Sequence, residues 1–80
     1  MSFNQRYIEA NILIKAIEIL PNSIHNTSLS ENYRADLIVL LGSLQREQVA
    51  IKLHQETFPN QDRRYPIKLN DRQHRFLMGI

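Results

Sequence analysis

Between Asn11 and Leu20 the chain carries more apolar surface than one neighbouring element can cover. At about 100° per residue, Asn11, Lys15 and Glu18 form one narrow polar stripe. Ile12, Leu13, Ile14, Ala16, Ile17, Ile19 and Leu20 take nearly all of the remaining circumference. A surface helix needs an apolar stripe of only about 100°, so a helix of this kind must be covered from two sides. The spacing of Phe3, Tyr7, Ala10, Ile14 and Ile17 extends the helical reading back to about Phe3, and Pro21-Asn22 is the expected stop.

Residues 21–28 read as a polar loop. Within it Asn26-Thr27-Ser28 matches a glycosylation sequon, but a polar turn accounts for it. Ser28 and Glu31 have the spacing of a capping box, opening a second segment from Leu29 to Thr57. Its main stripe is Leu29, Tyr33, Leu37, Leu40, Leu44 and Ile51, with Arg34, Gln45, Lys52 and Glu56 opposite. A third strip of smaller residues, Ala35, Val39, Gly42, Val49 and Ala50 up to Leu53, suggests a second packing surface. Gly42-Ser43 costs about 1 kcal/mol of helix stability relative to Ala and marks a kink. A helix-turn-helix centred on Gly42 fits poorly. It would put Gln48 where the second helix needs an apolar anchor, and Ile38 where a small residue belongs.

Phe58-Pro59-Asn60 closes that segment, and Pro66 holds Tyr65 out of the helical region, so residues 65–69 read as extended. Asn70 and Gln73 form a second capping box for a short helix to about Met78, with Asp71 and Arg75 at i and i+4. Val49–His54 and Tyr65–Asn70 both alternate and offer a β-hairpin as an alternative. The helix formers Gln45-Arg46-Glu47-Gln48 favour the helix.

The residues for catalysis and metal binding are missing or scattered. There is no Cys, and His25, His54 and His74 share no i, i+4 spacing that would put two imidazoles on one helical face. Ser23, Ser28, Ser30 and Ser43 lack a nucleophile-elbow setting, and Gly42 and Gly79 alone cannot build a phosphate-cradling loop. No catalytic residue, metal or cofactor is expected. The longest apolar run, Leu37-Ile38-Val39-Leu40-Leu41, falls far short of the ~20 residues that cross a bilayer. The first residues, Met1 to Arg6, show no signal-peptide pattern, so the expected location is cytoplasmic, with no membrane partner.

The net charge of +2 is unevenly distributed. Residues 1–58 hold five basic and six acidic groups. Residues 59–80 hold Arg63, Arg64, Lys68, Arg72 and Arg75 against only Asp62 and Asp71. Arg forks suit carboxylate or phosphate, and Tyr65 and Phe76 lie among them. The expectation is therefore a single all-α domain over 1–80, with a helical hairpin (3–58) and a basic arm (59–80) ending in a short helix. A bundle completed by homodimerisation would cover the first helix, since an uncovered face of Ile12, Leu13 and Ile19 would be a large apolar patch. The expected function is non-enzymatic binding of a macromolecule by a regulator, adaptor or assembly factor. Arg63, Arg64, Tyr65, Lys68, Arg72, Arg75 and Phe76 would meet a protein partner with an acidic surface; nucleic acid is the alternative for the same arm.

Overall fold

The computed structural model describes residues 3–57 and 64–80. Six elements follow in order: β1 (Asn4–Glu9), α1 (Ala10–Ile24), α2 (Glu31–Arg46), α3 (Gln48–Thr57), β2 (Arg64–Leu69) and α4 (Asp71–Met78). The two strands, far apart in sequence, pair antiparallel with Tyr7 opposite Pro66 and Glu9 opposite Arg64. Among the described residues the fold is thus mixed, four helices and a two-stranded sheet, and the all-α expectation is overturned.

The first correction lies at the start of the chain. A helix through Phe3, Tyr7 and Ala10 would bury the first two. Instead Phe3 and Tyr7 are 49% and 60% exposed, while Ile8 is buried. Burial here has period two, the mark of a strand with one covered face. Pairing with β2 supplies the backbone partners that override the local helical spacing. Residues 65–69 are extended as expected, but their partner is β1, whereas 49–54 are helical.

The helix then runs from Ala10 through Pro21 to Ile24, past the expected stop. Pro21 removes one N–H close to the end, where few intrahelical bonds remain to be lost. The last turn is held from outside, by Arg34 Nε donating to the Ile24 carbonyl at 2.9 Å.

Ala10, Leu13, Ala16 and Leu20 of α1 are fully buried, with Ile12, Ile14 and Ile17 half-covered around them. Every other helix, and β1, packs on α1. Its wide apolar circumference is therefore covered by elements of its own chain. A second copy is therefore not needed to cover α1.

The stripe of the second segment behaves as its spacing implies: Leu37, Leu40, Leu44 and Ile51 are buried, and Leu29 and Tyr33 pack against them. The segment is two helices, however. Its start is capped by Ser30, whose Oγ accepts from Tyr33 N at 3.2 Å, because Ser28 is occupied by Asn26 Oδ1. Gly42 lies inside α2, so the segment does not divide there, and the chain turns instead at Glu47. That turn directs α3 across α1, where Ile51 enters the core. The expected helix end at 58–60 lies outside the described residues.

The Asn70–Gln73 capping box is present, and α4 ends at Met78 as its spacing implies. Gln73 is buried and does more than cap. Its Nε2 donates to the Asp36 carbonyl of α2 at 2.9 Å, and its Oε1 accepts from Asn70 N at 3.0 Å. Asp71 pairs with Arg6 of β1 at 2.6 Å, so the ion pair joins two elements and is not the expected i, i+4 pair with Arg75.

Candidate functional site

Strand alternation sorts the six-residue strands into two faces. Ile8, Ile67 and Leu69 turn inward and are buried. Gln5, Tyr7 and Glu9 share the other face with Arg64, Pro66 and Lys68, and all six are exposed. Register places Tyr7 across from Pro66, Gln5 across from Lys68, and Glu9 across from Arg64. An antiparallel sheet with one wet face normally shows simple polar residues there. This one presents an aromatic ring and a proline between two cations.

A cleft of about 390 Å³ adjoins this face, lined by Gln5, Pro66, Ile67 and Lys68 of the sheet and by Ser43 and Glu47 at the end of α2. Its far wall is firmly placed. Tyr65 Oη donates to Glu47 Oε1 at 3.0 Å, and the Tyr65 ring meets His54 of α3 edge-on at 5.6 Å. Burial, this hydrogen bond and the Glu47 charge together raise the Tyr65 phenol above its ordinary 10.0. Strand β2 is thereby fastened to the α2–α3 turn. Arg46 lies beside the cleft, its Nη2 donating to Ser43 Oγ at 3.3 Å.

The expected basic arm is not an arm, because its residues are divided among two folded elements. Arg64 and Lys68 share the outer sheet face. Tyr65 turns the other way and is half-buried. Arg72 pairs with Asp36 at 3.3 Å, which ties α4 to α2. Arg75 is exposed on α4, whereas Phe76 packs half-buried against the core. Arg63 lies outside the described residues. Gln5, Tyr7, Ser43, Glu47, Pro66 and Ile67 were not among the expected site residues. Arg6-Tyr7-Ile8-Glu9 sets its two large residues side by side, so no period-two signal separated Tyr7 from the core.

Among the described residues no three His, Asp or Glu side chains gather as a metal site would require, and no helix is long and apolar enough to cross a membrane. No protein-family model, curated protein or solved structure matches the chain.

Proposed function

We propose that the chain is a small non-enzymatic binding protein of the cytoplasm that acts as a homodimer. In this reading it recognises a protein partner with an acidic surface through the outer face of the sheet. The observation that carries the reading is that face itself, with Tyr7 60% exposed beside Pro66 and Arg64 and Lys68 on the same strand. Tyr and Arg are the side chains most often found at the energetic centre of interfaces. A rigid ring beside a proline also offers contact area at low entropic cost.

A second reading is stacking of nucleic-acid bases on Tyr7, with phosphates at Arg64 and Lys68. Glu9 on the same face opposes either polyanion, so binding itself has to separate the two readings. Two probes separate the readings in fluorescence anisotropy at 50–300 mM salt, a range of roughly two-fold in screening length: poly-glutamate and a mixed single-stranded oligonucleotide. Binding of poly-glutamate, lost in Tyr7→Ala and Lys68→Glu, is the expected result. Preference for the oligonucleotide with a steep salt slope would replace it by the second reading. Binding of neither at the lowest salt would overturn both.

A further inference from the structure

The side of α2 that faces away from the core lacks the charges such a surface normally carries. At about 100° per residue, Ala35, Ile38, Val39 and Gly42 centre on the direction opposite Leu37, Leu40 and Leu44. Ile38 and Val39 are 54% and 51% exposed, and Ala35 is exposed beside them. A helix packed on one side normally turns charged and polar residues outward. Here the charges stand only at the two ends, Glu31 in the first turn and Arg46 in the last.

Nothing within the chain crowds Gly42. A Cβ built there would meet only Arg46 Nη1, at 3.7 Å, and its backbone is not left-handed. Glycine weakens a helix interior, so its presence calls for something that comes close to the backbone from outside.

The order of these residues reads the same from either end. About the midpoint between Ile38 and Val39, Ala35 mirrors Gly42 and Glu31 mirrors Arg46. An antiparallel twofold pairing of α2 with a second α2 therefore sets Ile38 against Val39, the smallest side chains against each other, and each acid against a base. We infer that α2 is the contact helix of a twofold homodimer, packed antiparallel on a second copy of this chain. The inference rests on the homodimer reading above and gives it a geometry. A parallel pairing would bring Glu31 to Glu31 and Arg46 to Arg46, which the charges oppose. The Arg46 hydrogen bond to Ser43 lies at the exposed surface, so its guanidinium can turn to the facing Glu31.

The chain has no cysteine, which makes cross-linking clean. With about 1.5 Å rise per residue, Cys at 35 in both copies would stand roughly 10 Å apart along the axis, beyond the ~7 Å limit of a disulfide. Ala35→Cys paired with Gly42→Cys would stand side by side. Light scattering of the wild type at about 100 μM is expected to give twice the 9.4 kDa chain mass. Oxidising an equimolar mixture of Ala35→Cys and Gly42→Cys should give a covalent dimer, and either variant alone should not. Arg46→Glu should raise the dissociation constant at least tenfold, and adding Glu31→Arg in the same chain should restore it. Both cysteine sites are open, and unchanged melts of the variants would confirm that they fold. A wild-type monomer would overturn the homodimer reading together with this geometry. A dimer that links 35 to 35, or that fails to link 35 to 42, would overturn the geometry and leave the homodimer standing.

Discussion

Replacing Gln73 by leucine tests how α4 is held. The side chain is 1% exposed and makes two bonds that leucine cannot make. The Asp36 carbonyl lies inside α2 and keeps its helical partner, so losing Gln73 Nε2 costs it little. The Asn70 N–H is different. It sits in a residue 1% exposed, and without Gln73 Oε1 it is a buried donor with no acceptor. An orphaned buried group costs about 1–3 kcal/mol, and the extra apolar burial of leucine offsets part of that. The expected net loss is about 1–2 kcal/mol, a Tm drop of roughly 4–16 °C for a chain of this size, read by circular dichroism.

Gln73→Glu supplies the companion test. Its carboxylate still accepts from Asn70 N but has no proton for the Asp36 oxygen. Burial and that oxygen both favour the neutral acid, so its folded pKa lies above the unfolded value. The variant should approach wild-type stability at acid pH and lose it as pH rises through the folded value. A Tm for Gln73→Leu within about 2 °C of wild type would refute the reasoning, because an orphaned donor at a buried site cannot be silent.

Three further outcomes are expected. Tyr65→Phe should lose about 1 kcal/mol with its bond to Glu47. Because the folded phenol titrates above 10.0, its contribution is present below that value and lost as pH rises through the folded one. Absorbance titration at alkaline pH should place Tyr65 lower in Glu47→Gln, but not at 10.0, since burial is the largest cause. Gly42→Ala, melted at concentrations too low for association, should gain about 1 kcal/mol; a fall in Tm would mean that the glycine is needed inside the chain after all.

What could be read from the residues was what short-range physics decides. The Asn70–Gln73 box closes over three residues and needs nothing distant, so its spacing was sufficient. Leu37, Leu40, Leu44 and Ile51 announced their burial by period alone. The first strand could not be read this way. Tyr7 and Ile8 suit a strand, but a strand exists only where a partner pairs with it, and that partner is β2. The turn at Glu47 follows from how Ile51 and Tyr65 pack, not from the glycine a few residues earlier. The candidate site divided in the same way. Arg64 and Lys68 were legible as charge in an extended stretch, whereas Tyr7 reaches their sheet face, and Ser43 and Glu47 the cleft beside it, only through the fold.

The separation of the two strands also sets a timetable for synthesis. β1 is complete at residue 9 and its partner begins at residue 64, a gap of 55 residues. At about 5–20 residues per second, β1 waits roughly 3–11 s with both edges open and Ile8 uncovered. The helices that bury Leu13, Leu37 and Leu44 are made in that interval, so a growing chain can collect most of its core before the sheet closes. The waiting strand, Asn4-Gln5-Arg6-Tyr7-Ile8-Glu9, sets its two large residues between an arginine and a glutamate. Charges so placed keep an unpaired edge from joining the same edge of another nascent chain.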